Sequence, residues 1–238
     1  MTTVPIKGVI SSDDDAEIYQ FFGYSVVTPT DVADALNDAA GADIQVEINS
    51  QGGDVFAGSE IYTALKAYQG NVTVNIVGLA ASAASIIAMA GDTVNISPTA
   101  QLMIHRSSTV SQGNVDDLSS DLEGLNSTDQ AIVNVYQQKT GMDPQDIYRM
   151  MSQETWINAQ DAVKQGFADS IMFEKQPATV ANTVNGQLLL SKDMVAKVKT
   201  LMRKAEQASK PEPPKQNEID TEKAQLLKEK LGYLFNQN

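Results

Sequence analysis

Asp43-Ile-Gln-Val-Glu-Ile-Asn-Ser-Gln-Gly-Gly-Asp54 alternates side chains over its first six residues and then meets two adjacent glycines. The alternation predicts a strand over Asp43–Ile48, and the Ser50–Asp54 run predicts a glycine-bearing turn at its carboxyl end. Downstream, Ala57–Tyr68 is amphipathic with helical spacing, Val72–Val77 is a second apolar strand, and a small-residue helix is expected from Ser82 to Ala90. Strand, helix, strand, helix is the order of an α/β domain.

The same order extends both ways. Upstream, Val4–Ile10 reads as a first strand, Ser11–Glu17 is an acidic interruption, and Thr30–Ala39 reads as a helix with Thr30 as its cap. Downstream, Val94–Ile96 and Leu102–Ile104 are short strands around Pro98. A long helix is predicted over Val115–Lys139, with Val115, Leu118, Leu122 and Leu125 opening an apolar face that Ile132, Val135 and Tyr136 resume. Gly141 ends it, and Asp143-Pro144 starts another helix. Asn158 caps Ala159–Gln165, Gly166 closes that helix, and Ala168–Met172 leaves it extended.

Residues 1–173 carry six basic against 22 acidic side chains, net −16, while residues 174–238 carry 11 basic and eight acidic, net +3. A domain boundary is therefore placed near 174. The C-terminal extension reads as two short helices, one striped by Met194, Val198 and Leu201 and one by Leu227, Leu231 and Leu234, joined by the Pro-rich Lys210–Lys215 spacer. The acidic body argues against nucleic acid as a partner. No run reaches the roughly 20 apolar residues of a membrane span. With no cysteine and no signal-like pattern in Met1–Lys7, a cytoplasmic protein is expected. A single histidine, His105, rules out a metal centre built on several His or Cys ligands, and no cofactor is expected.

Four segments carry potential chemistry. Gly78-Leu-Ala-Ala-Ser82 lies where a strand passes into a helix, a place that projects a serine hydroxyl toward a helix N-terminus. Small residues there also serve tight packing. Ser85 is a rival nucleophile, but one turn into a helix a hydroxyl more often bonds the backbone. His105 ends an apolar strand; it is either a general base or a surface or core histidine, and no other imidazole exists to serve as base. Gly52 and Gly53 permit close backbone approach: to an oxyanion through the amides of Gly53 and Ala83, to a phosphate, or in a plain tight turn. The phosphate alternative lacks the Gly-Lys-Ser/Thr that would follow. Asp169, in Gly166-Phe-Ala-Asp169, is an acid just past a helix end, and acids are common in this chain.

Together the segments resemble the proteolytic subunit of the Clp protease (ClpP) family over about residues 43–172. Ile48–Gly58 resembles its glycine-rich oxyanion strand, Gly78–Ser82 its nucleophile segment, Met103-Ile-His105 the stretch ending in its histidine, Gln112-Gly113 with the long helix its handle region, and Asp161–Asp169 the segment ending in its acid. Ala80–Ser85, Ala88–Asp92 and Glu154–Ala159 are similar to the phage-encoded head maturation branch. Gln51 stands where the family turn often has proline.

The resemblance implies an α/β fold of ClpP/crotonase-like stacked ββα units with a long protruding handle helix, plus the helical C-terminal extension. It implies a serine endopeptidase with Ser82 as nucleophile, His105 as base and Asp169 orienting that base. Gly53 and Ala83 would form the oxyanion hole, and Gly52, Gly53, Asp54, Gln112 and Gly113 would bind substrate. It further implies a homo-oligomeric ring, a heptamer or stacked double ring, acting on a protein substrate such as capsid or scaffold protein in a host cytoplasm or prohead. An unfoldase partner would be a separate protein, since no ATP-binding loop is present. A crotonase-like acyl-CoA enzyme and a catalytically idle assembly protein are the alternatives.

Overall fold

In a computed structural model, residues 2–174 are described, together with a small antiparallel pair, Asn182–Val184 with Gln187–Leu189. The chain divides into two units, Met1–Glu174 and Lys175–Asn238. The two helical stripes and the Pro-rich spacer expected after residue 190 lie outside the described residues. The pair at 182–189 was not anticipated: each strand is three residues long, too short for alternation to show.

The first unit is built on an eight-stranded sheet. Its strands are β1 (Thr2–Ile10), β2 (Val26–Val27), β3 (Ile44–Gly53), β4 (Val72–Ala81), β5 (Thr93–Ile96), β6 (Gln101–Ile104), β7 (Thr155–Asn158) and β8 (Ser170–Ile171). The order is β2-β1-β3-β4-β5-β8, and every pair on that path is parallel. β4 has two partners on one side. Thr73–Ile76 pair with Thr93–Ile96 of β5, and Leu79–Ala81 pair with Gln101–Met103 of β6. β7 returns antiparallel along β6. Parallel strands sit between layers of helix and read as apolar runs. Ile44, Val46, Ile48, Val74, Ile76 and Ile96 are accordingly all fully buried, each contributing about 2 kcal/mol of burial.

The helices are α1 (Ala16–Phe21), α2 (Pro29–Ala39), α3 (Val55–Ala67), α4 (Ala83–Ala88), α5 (Val115–Thr140), α6 (Pro144–Ser152) and α7 (Ala159–Gln165). The acidic interruption holds over residues 11–15, and the short helix α1 then follows and leaves Phe21 and Phe22 exposed. The cap of α2 is Thr28, not Thr30. Thr28 Oγ1 accepts from Asp31 N–H, Asp31 answers to the Thr28 N–H, and Pro29 takes the first helical position, where no amide hydrogen is needed. The glycine run 50–53, expected as a turn, continues β3; register shifts at Lys7/Val9 and at Ile48/Ser50 absorb the irregularity while pairing resumes on both sides.

α5 behaves as two halves. Its second half buries Asp129, Ile132, Val133 and Tyr136, and the Tyr136 ring meets Phe167 edge-on at 5.7 Å. Its first half leaves Val115, Leu118 and Leu122 exposed by 77%, 46% and 58%.

Burial pushes the Tyr136 phenol above its ordinary value near 10. The folded state therefore holds this proton more tightly than the unfolded chain does. That stability is complete below pH 10 and is lost as pH rises through the folded value. Unfolding midpoints are expected to fall steeply above about pH 10, less steeply in Tyr136→Phe. Parallel pH curves for the two proteins would refute this source of alkaline sensitivity.

Candidate active site

Three neighbouring strands, β3, β4 and β6, end on the same side of the parallel sheet, and the segments leaving them carry the candidate residues. Ligands of open α/β sheets bind at such carboxyl ends.

Ser82 immediately follows β4 and has φ +54° and ψ −126°, a left-handed conformation that costs a non-glycine residue roughly 1–3 kcal/mol. Its surroundings hold it there. Ser82 N–H donates to Met103 O on β6 at 3.0 Å, and Ser82 O accepts from Ser85 N–H at 2.9 Å and from Ser85 Oγ at 2.6 Å. The alanines on either side are buried because the turn is crowded. A Cβ added at Gly52 would lie 2.7 Å from Ser82 Cβ, and one at Gly58 would lie 3.0 Å from Ala83 Cβ. The packing requirement and the projection of Ser82 thus use the same small residues.

His105 is the first residue beyond β6. Its Nε2 lies 2.7 Å from Ser82 Oγ across 23 residues of sequence. For the hydroxyl to donate, Nε2 must be the unprotonated nitrogen, with the ring proton on Nδ1. Ser85 is fully buried, with its hydroxyl spent on Ser82 O and bonded to Tyr136.

Gly52 and Gly53 end β3 with φ +93° and +154°. A Cβ at Gly52 would stand 2.6 Å from Ala81 O, and one at Gly53 would collide with Ile10 O, so neither position accepts a side chain. Gly52 N–H donates to Ser50 Oγ at 3.0 Å, and Asp54 N–H donates to Ile10 O at 2.8 Å. Ala83 N–H is the first amide of α4 and has no intrahelical acceptor. The Asp54 carboxylate caps α3, accepting from Ala57 N–H at 2.7 Å.

Ser82, Ala83, His105, Gly52, Gly53 and Asp54 line one cleft of about 850 Å³. Phe56, Ile86, Met103 and Leu125 give it an apolar wall, and Arg106–Thr109 with Ser120 and Asp121 give it a polar one. Gln112 and Gly113, expected to bind substrate, do not line it. They precede α5, where Asn114 opens a capping box with Asp117 and a Cβ at Gly113 would press on the Asp117 carboxylate.

Asp169 does not meet His105. Its Oδ2 accepts from Val94 N–H at 2.7 Å and from Lys139 Nζ at 2.8 Å, and among the described residues it has no hydrogen bond to the imidazole. The sheet explains why. Asp169 enters β8 beside Val94, which pairs with Val74, whereas the site lies past Ala81 on the same strand. At ~3.3 Å per residue, Val74 to Ala81 spans about 23 Å.

Another carboxylate stands closer in register. The last pair of the β6–β7 ladder is Ile104 with Thr155, so one step further sets Glu154 opposite His105. Glu154 also has φ +50°, unusual for a glutamate. Glu154 opens the stretch Glu154–Ala159. Only the antiparallel return of β7 gives its first residue a place beside the histidine.

The Asp129 carboxylate holds the Arg106 guanidinium above its ordinary range, chiefly through a direct hydrogen bond. Among the described residues no group of three or more His, Cys, Asp or Glu is arranged to hold a metal ion, and no helix is long and apolar enough to cross a membrane.

The family model for Clp protease matches residues 32–175. The ATP-dependent Clp protease proteolytic subunit of Deinococcus radiodurans is 30% identical over 132 residues, 55% of this chain and 65% of that protein. The subunit so named from Ligilactobacillus salivarius is 32% identical over 136 residues, covering 56% of this chain and 69% of the other. Among solved structures, a ClpP1 mutant from Listeria monocytogenes superposes with a TM-score of 0.61 at 23% identity, over 73% of this chain and 92% of that one, which shows a shared fold. Against the first of these relatives the chain covers just under two-thirds of the length. A family match across more than half of the sequence makes this chain a member of the Clp protease family.

Proposed function

We propose that this chain is a serine endopeptidase cleaving peptide bonds through an acyl-enzyme. The observation that carries the reading is the 2.7 Å approach of His105 Nε2 to Ser82 Oγ at the floor of a cleft edged by the Gly52–Gly53 backbone. His105 takes the Ser82 proton as Oγ attacks the carbonyl carbon, and returns it to the leaving amine. With the Gly52 and Asp54 amides engaged, the Gly53 amide is the donor from β3. Together with Ala83 N–H it stabilises the tetrahedral oxyanion, each donor supplying about 3 kcal/mol. Glu154, rather than Asp169, is assigned to orient the imidazole and keep its proton on Nδ1. Substrate adds as an extended strand beside the Gly53 segment, where main-chain bonding gives little sequence preference.

Copies of the chain assemble into rings through exposed apolar surface, and the Val115, Leu118, Leu122 stripe of α5 is the proposed contact between rings. Replacing Leu118 and Leu122 together by aspartate is expected to lower the scattering mass of the assembly about twofold or more, because charge would be forced into an apolar contact. An unchanged mass would remove α5 from that role, and a monomeric wild type would remove the ring.

The substrate proposed is capsid or scaffold protein, on the similarity to the phage-encoded branch. Wild type and Ser82→Ala, each incubated with candidate capsid proteins, should differ in one respect: discrete fragments by mass spectrometry with the first and none with the second. Identical fragments from both would defeat the peptidase assignment.

A further inference from the structure

We propose that α5 braces the reacting pair at two points, with Asp129 and Tyr136 as positioning residues, one for His105 and one for Ser82; the proposal rests on the peptidase reading of those two residues. Asp129 and Tyr136 are seven residues apart, two turns along one face of the helix. Both are buried, and both bond residues that adjoin or hold those that carry the chemistry: Asp129 meets Arg106 and Ser107, and Tyr136 meets Ser85.

On the base side, Asp129 is fully buried, and its bonding partners are the two residues after His105. Arg106 Nε donates to Oδ2 at 2.6 Å; Ser107 N–H and Ser107 Oγ donate to Oδ1 at 2.7 and 2.8 Å. The Arg106 guanidinium also lies 5.0 Å from the Tyr148 ring on α6. His105 needs such an anchor. Pairing of β6 stops at Ile104, so the sheet fixes the chain before the imidazole and not after it. The Asp129 carboxylate supplies the fixed point on the far side, one residue beyond the ring it steadies. A buried carboxylate is costly without strong partners, and here the partners are the tail of the base.

On the nucleophile side, Tyr136 reaches Ser82 through Ser85. The single hydroxyl proton of Ser85 is committed to Ser82 O at 2.6 Å. Across the 2.7 Å Ser85–Tyr136 contact, Tyr136 must therefore be the donor. The chain Tyr136 O–H to Ser85 O–H to Ser82 C=O pins the carbonyl of a residue held at φ +54°. Both ends of the Oγ to Nε2 hydrogen bond are thus referred to one rigid helix, which also lines the cleft.

The test exploits His105 being the only histidine in the chain. In full-length protein labelled with ¹⁵N-histidine, the Nε2 resonance at fixed pH reports the Ser82 hydroxyl, and Ser82→Ala marks its value with that bond gone. Asp129→Asn, Tyr136→Phe and Ser85→Ala are each expected to move it toward the Ser82→Ala position. With a fluorogenic peptide they should lower kcat by about 10- to 100-fold and leave KM within about threefold, as expected for a misplacement of an ångström or less. Tyr136→Phe combined with Ser85→Ala should be no worse than either alone, since both cut one chain of bonds. A resonance at the wild-type position with kcat within about twofold would overturn the brace. Should Asp129→Asn fail to fold, Tyr136→Phe, which removes one oxygen, decides the matter. If wild type and Ser82→Ala hydrolyse the peptide equally, the peptidase reading falls, while the resonance still reports whether α5 holds the imidazole.

Discussion

Ser82→Ala is expected to lower kcat for peptide hydrolysis by roughly 10⁶-fold, the scale on which a serine nucleophile and its base act as a unit. Folding should survive the change. The backbone bonds that hold the turn, Ser82 N–H to Met103 O and Ser85 N–H to Ser82 O, do not use the hydroxyl. A companion variant separates chemistry from strain. Alanine at this position inherits the cost of φ +54°, whereas glycine does not. Ser82→Gly should therefore be equally inactive yet more stable than Ser82→Ala by about 1 kcal/mol, after its extra unfolded-state entropy is subtracted. A glycine variant that unfolds below the alanine one would show that the turn is not strained.

The second large effect concerns the acid. Glu154→Gln is expected to lower kcat by about 10²- to 10⁴-fold, because an amide cannot hold the Nδ1 proton or balance the imidazolium as a carboxylate does. Asp169→Ala should leave kcat within about threefold and instead reduce stability by about 1–3 kcal/mol. That residue serves Val94 N–H and Lys139 Nζ, joining β8 to β5 and to α5. The opposite pattern, with activity lost at 169 and kept at 154, would return the third role to the residue that the sequence resemblance suggested.

Local signals are legible in the sequence, whereas contacts between distant strands are not. The alternation of Asp43–Ile48, the apolar Val72–Val77 and the capping signals at Asp143-Pro144 and Asn158 are local, and the strands and helices they announce are present. The juxtaposition of Ser82 and His105 was legible only through ordered motifs, since nothing local in Leu102–His105 reveals that β6 takes up the half of β4 that β5 leaves unpaired. The third residue of the site is no more legible locally. Glu154 and Asp169 stand on either side of β7 and α7, and which of them comes into register with the histidine depends on β7 running back along β6, a contact about fifty residues away in sequence. The outer half of α5 carries the converse lesson. Its apolar spacing is real, but no residue of this unit covers it, so a periodicity that ordinarily marks a core here marks exposed surface. Asp129 gave no signal at all: one more acid in an acidic helix, distinguished only by what it is folded against.

A fluorophosphonate probe, followed by digestion and peptide mapping, tests the central claim most directly. One adduct is expected, on the peptide carrying Ser82, and His105→Gln should slow its formation by about 100-fold or more. An adduct on any other serine, or labelling as fast without the imidazole as with it, would contradict the account.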